Sequence, residues 1–169
     1  MTLSRIVTLC LLLCAFASQA QSINERWLGT WQSGNQKIVI TPTSFDNCRW
    51  SNSKPKAAHK NCLAYYDGLI SKQDLVQYAK SDMDNVNRWL AEKSISASEY
   101  QGFKKDIQNA ASILTQVSPD KFKQVLLDYG DMANPDGGTI YFLDKENIYA
   151  VSVQEGAIAP MFSIKKFTR

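Results

Sequence analysis

Residues 71–90 read SKQDLVQYAKSDMDNVNRWL, and their period decides how the chain is divided. Leu75, Ala79, Met83, Val86, Trp89 and Leu90 recur at spacings of three and four, which places them on one stripe of a helix. Ser71 and Asp74 stand three apart, the spacing of a capping box at its start. A second helix is expected over 97–116. Ser96 and Glu99 repeat the box, and Tyr100, Phe103, Ile107, Ala110 and Leu114 form the stripe. A third, shorter helix is expected to open at Ser118-Pro119, a cap followed by proline at the first helical position. Phe122, Val125 and Leu126 would face inward, and Gly130 would stop it.

On both sides of this stretch the apolar period falls to two. Asn24 to Leu28 reads as a short helical turn. Trp31 and the run 37–41 read as a hairpin about Ser33-Gly34-Asn35. Residues 45–50 and 62–66 read as two further strands, the second closed by Asp67-Gly68. Strands are expected again over 139–143, 148–153 and 161–167, with a turn at 144–147. The reading is one α+β domain over residues 21–169, with β segments in 29–67 and 139–167 and a helical segment in 71–129. That makes an antiparallel sheet or small barrel split by a central helical insert of about three helices.

The first 20 residues read as a cleaved secretory signal. Arg5 is followed by an apolar run from Ile6 to Phe16, and small residues, Ser18 and Ala20, stand where a signal peptidase reads. A run of about 11 residues is too short to span a bilayer, which needs about 20. Lipid attachment at Cys10 or Cys14 is the rival, but Leu9 and Leu13 stand where a small residue is wanted. Cleavage near Ala20/Gln21 removes 20 of the 169 residues and Arg5, leaving 149 residues with net charge +2 in the periplasm or outside the cell. So small a charge excess points away from general nucleic-acid binding, and no other run is long enough to span a membrane. Two of the four cysteines leave with the signal. Cys48 and Cys62 remain, an even pair expected to form a disulfide in an oxidising compartment.

Glu25-Arg26-Trp27-Leu28-Gly29-Thr30-Trp31 resembles the start of lipocalin-like (calycin) barrels. The resemblance implies a short helical turn before a first strand bearing Gly-x-Trp. It also implies a basic residue near the last strand that covers the tryptophan, here Lys166 or Arg169, and a small-molecule pocket. The chain departs from the family where 71–130 reads as helical, since lipocalins run their strands almost continuously. The plainer reading of Trp31 is a core tryptophan.

The most distinctive segment lies between the cysteines. Arg49, Trp50, Lys54, Lys56, His59 and Lys60 fall there with no acid among them. Stapled and stiffened by Pro55, they could present a binding surface to an acidic protein or an anionic envelope component; the alternative is a solvated lysine-rich loop. His59 is the lone histidine, and no HExxH, paired-cysteine or Gly-x-Ser-x-Gly motif is present, so no metal, cofactor or catalytic residue is assigned. Gly137-Gly138 precedes a strand and is no nucleotide cradle. Asp128, Asp131, Asp136, Asp144 and Glu146 could serve a carboxylate-based hydrolase of envelope glycan, or simply shape turns. The expected function is a non-enzymatic binding protein of inhibitor or immunity type, acting through the basic loop. The alternatives are a lipocalin-like carrier and the hydrolase.

Overall fold

The computed structural model describes residues 23–54, 61–118, 121–128, 137–154 and 162–169. The signal segment, Lys56, His59 and Lys60, and Asp131 and Asp136 lie outside the described residues.

Among the described residues nine strands follow one another in a single sheet whose spatial order is the order of the chain. After a 3-10 turn at Glu25–Trp27 come β1 (Gly29–Ser33), β2 (Gln36–Ile40), β3 (Ser44–Phe45), β4 (Cys48–Trp50) and β5 (Leu63–Ser71). Two helices interrupt, α1 (Lys72–Ala91) and α2 (Ala97–Gln116). Then β6 (Lys121–Asp128), β7 (Gly137–Asp144), β8 (Asn147–Gln154) and β9 (Ser163–Phe167) complete the sheet. The edges meet: Gln32 of β1 and Thr168 just beyond β9 exchange two backbone hydrogen bonds, of 2.8 and 3.0 Å.

This overturns the expected α+β division. The described residues form a nine-stranded mixed sheet with two α-helices, and residues 121–128 of the segment read as a third helix are strand β6. β6 pairs antiparallel with β5 (Tyr65 opposite Leu126) and with β7 (Leu126 opposite Ile140). The misreading has a physical cause. Phe122 and Leu126 pack toward the helices, whereas Val125 and Leu127 pack inside the sheet. A strand covered on both faces loses its apolar–polar alternation, and Phe122, Val125 and Leu126 then match helical spacing by coincidence. The sheet is also not wholly antiparallel. β4 and β5 run parallel, Arg49 opposite Leu63 and Trp50 opposite Ala64.

Smaller boundaries differ for local reasons. The expected strand over 45–50 is two short strands, since Asp46 takes a positive φ of 51° and turns the chain. β5 does not stop at Gly68. Gly68 takes φ 86° within a register shift between Tyr66 and Leu69, so it bulges the strand and lets it continue to Ser71.

Both helices start as their sequences predict. Ser71 Oγ accepts from Asp74 N at 3.1 Å while Asp74 Oδ2 accepts from Ser71 N at 2.8 Å. Ser96 and Glu99 repeat the exchange at 3.2 and 2.7 Å. The stripe residues Leu75, Val86, Ile107, Ala110 and Leu114 pack on Phe122, Phe142, Tyr149, Val151 and Ile164, the helix-facing side of β6–β9. Asp82 of α1 accepts from the backbone N–H of Phe162 at 2.8 Å and ties the helix to the entry of β9. The opposite side of the same strands, with β1–β5, encloses a second core of Trp27, Trp31, Ile38, Phe45, Val125, Ile148 and Phe167. The helices therefore cover the sheet from outside and leave the enclosed interior to the strands and the 3-10 turn.

Candidate functional site

Ser71, Lys121, Asp144 and Asn147 mark one end of the sheet, and Leu63, Asp128, Gly137 and Gln154 mark the other. The 3-10 turn sits at the first end. Asn24 Oδ1 caps it by accepting from Arg26 N at 3.0 Å, and Asn24 N donates to the Tyr66 hydroxyl at 3.3 Å. Trp31 is fully buried beneath it, with its indole N–H donating to Trp27 O at 2.8 Å. Arg169 closes the assembly. Its guanidinium lies 4.7 Å from the centre of the Trp31 ring and donates to the carbonyls of Arg26 (2.8 Å) and Leu28 (3.4 Å). Lys166 is paired opposite Tyr149 in the sheet, and it is Arg169 that covers Trp31.

Inside, aromatic rings form a continuous cluster. Phe45 meets Trp27 at 5.8 Å, Tyr141 at 4.9 Å and Trp50 at 6.4 Å, and Trp50 meets Tyr66 edge-on at 4.9 Å. Trp50, expected as part of an outward basic surface, is half-buried in this cluster. Its indole N–H is enclosed with no hydrogen-bond partner among the described residues. Arg49 and Lys54 are exposed, and the Cys48–Cys62 disulfide is present with its Cα atoms 4.6 Å apart. Of the six expected binding residues, the structure thus presents two at the surface and turns one inward, and three lie outside the described residues.

Among the described residues the candidate carboxylates Asp128, Asp144 and Glu146 do not converge on one site. Asp128 and Asp144 stand at opposite ends of the β6–β7 pair. Asp144 is buried and accepts from the backbone N–H and hydroxyl of Ser118, at 3.2 and 3.0 Å. Glu146 reaches toward Arg169 at 3.9 Å. Among the described residues no three His, Cys, Asp or Glu side chains stand where they could hold a metal ion, and no helix is long and apolar enough to cross a membrane.

A cleft of about 700 Å³ opens at the end of the sheet that carries the 3-10 turn. It is lined by Asn24, Arg26 and Trp27 of the turn, by Tyr66, and by Lys121, Phe122 and Lys123 of β6. Ser118, Leu143, Asp144 and Lys145 complete it. Lys123 Nζ lies 3.7 Å from the centre of the Tyr66 ring. Burial pushes the Tyr66 phenol above its usual value, partly offset by the hydrogen bond from Asn24, so the hydroxyl stays protonated at neutral pH. Arg26 donates to the Lys145 carbonyl, which fixes the guanidinium at the rim. No motif announces this cleft, because its cations come from three segments far apart in sequence. The visible signal was the lysine pair Lys121 and Lys123 beside apolar Phe122.

Compared with protein-family models, curated proteins and solved structures, the chain matches none.

Proposed function

We propose that this chain is an exported, non-enzymatic binding protein of lipocalin-like build that takes a small molecule. The observation that carries the reading is the cleft beside the 3-10 turn. Its volume lies within the range of small-ligand sites, about 300–1,000 Å³, and apolar walls there meet a few convergent polar groups. The arrangement of Arg169 over Trp31, closing on the turn before β1, supports the lipocalin-like part of the proposal. The Cys48–Cys62 disulfide supports export to an oxidising compartment. The test is titration of the purified protein with a panel of small amphipathic molecules, following the emission of its tryptophans. Saturable quenching with one-to-one stoichiometry is the expected result. An unchanged spectrum across the panel contradicts the proposal.

A second reading draws on the staple itself, which holds exposed Arg49 and Lys54 beside the segment that carries Lys56, His59 and Lys60. In that reading the basic loop captures an acidic protein or anionic envelope component. Capture on an affinity column that weakens with added salt is its mark.

A further inference from the structure

We infer that the cleft under the 3-10 turn selects an organic acid: a molecule with one anionic head group on a short apolar body. The inference rests on the small-molecule reading above and adds the chemistry of the ligand. It starts from charge. Arg26, Lys121, Lys123 and Lys145 all line one concavity. Among the described lining residues Asp144 is the only carboxylate, and its two oxygens accept hydrogen bonds from Ser118. Lys121 also lies close enough to Asp74 to help lower that carboxyl's pKa, though the capping bonds from Ser71 contribute more. Among the described residues, Lys123 and Lys145 stand in no ion pair with a carboxylate. The described lining thus carries four cations against the one carboxylate of Asp144, and an anion seated among the cations relieves their mutual repulsion while gaining charge-assisted hydrogen bonds.

The second part comes from direction. In β6, Val125 and Leu127 point into the enclosed interior, and Lys123 shares their side of the strand. Its ammonium reaches the face of Tyr66, whose ring edges onto Trp50 and Trp27. The cationic rim therefore continues directly into the aromatic interior through Tyr66, Trp27 and Leu143. A bare inorganic ion would satisfy the rim and leave that apolar wall wet. A ligand with a short apolar body satisfies both.

The experiment uses two fluorescent probes on the purified protein, anionic 8-anilino-1-naphthalenesulfonate and uncharged N-phenyl-1-naphthylamine. The parent is compared with Lys121→Gln/Lys123→Gln, and with Lys80→Gln/Lys104→Gln in the separate groove between the helices. Circular dichroism confirms that each variant is folded. The expected result is anionic-probe binding weakened at least about tenfold by the first pair, unchanged by the second, with the uncharged probe little affected by either. Inorganic phosphate should fail to displace the anionic probe where 1-naphthyl phosphate succeeds. The inference is overturned if the first pair leaves anionic-probe affinity intact, if it weakens both probes equally, or if inorganic phosphate displaces as well as its naphthyl ester. Binding of the uncharged probe alongside any of those results leaves the small-molecule reading standing. Failure of both probes to bind the parent overturns that reading and the inference together.

Discussion

The Arg169 guanidinium lies over the Trp31 indole at 4.7 Å, although the two residues stand at opposite ends of the sheet's sequence. The same side chain donates to the carbonyls of Arg26 and Leu28, so one residue locks the first strand, the last strand and the 3-10 turn together. Its side chain is half exposed, which limits the electrostatic part of the contact. Replacing Arg169 with alanine is expected to cost about 1–2 kcal/mol from the lost cation–π contact and hydrogen bonds. Lysine should recover only part of it, because it lacks the planar fork. Urea unfolding followed by far-ultraviolet circular dichroism measures both, and a neutral alanine variant would show that the lock does not contribute.

The Cys48–Cys62 bridge closes a loop of about 15 residues, worth roughly 3 kcal/mol in the chain-entropy treatment. It also holds Arg49 N to Cys62 O at 3.0 Å, where the parallel β4–β5 pairing starts. A Cys48→Ser/Cys62→Ser protein should therefore be less stable by about 2–4 kcal/mol and unfold at a lower urea midpoint. An unshifted midpoint would mean that the parallel pairing stands without its staple.

Acid should weaken the helices in a particular way. The capping bonds from Ser71 and Ser96 lower the carboxyl pKa values of Asp74 and Glu99 below 3.8 and 4.5. A carboxyl depressed on folding stabilises the native state fully above its unfolded pKa. That contribution fades as pH falls through the ordinary carboxylate range to the folded value. Asp74→Asn/Glu99→Gln should therefore be less stable than the parent at pH 7 and closer to it at pH 3. A gap that stays constant across that range would contradict the capping account. Thermal unfolding at a series of pH values reads it directly.

Residues 121–128 carry the clearest structural difference from what the sequence predicts. As strand β6 their Cα chemical shifts should fall on the extended side of random coil, with Hα–Hα contacts from Leu126 and its neighbours toward β5 and β7. Helical shifts over the same residues would restore the third helix.

The contrast between that segment and the two helices shows what was legible. Leu75 to Leu90 and Tyr100 to Leu114 each cover one face only, so their stripes could be read from spacing. β6 is packed on both faces, and its apolar residues fit a helical spacing as well as a strand; β7 to β9, equally covered, were legible from the turns that flank them. The tight turn at Gly34 and the disulfide were readable because turn chemistry and cysteine pairing are local or nearly unique choices. Trp50 was misplaced because its neighbours in sequence are basic, whereas its neighbours in space are Phe45 and Tyr66. The cleft was hidden for the same reason. Arg26, Lys123 and Lys145 become one site only when the sheet closes.

The basic-loop reading makes its own prediction. Reversing charge at Lys54, Lys56 and Lys60 should abolish salt-sensitive capture of an acidic partner while leaving small-molecule titrations at the cleft unchanged. Capture indifferent to both salt and charge would sink that reading.

The most direct test of the small-molecule proposal is native mass spectrometry of the protein taken from cells that make it at their own level. The account predicts a chain beginning near Gln21 that carries a small acidic adduct, lost from the Lys121→Gln/Lys123→Gln variant. A bare chain, or one held by a macromolecular partner with the cleft empty, would contradict it.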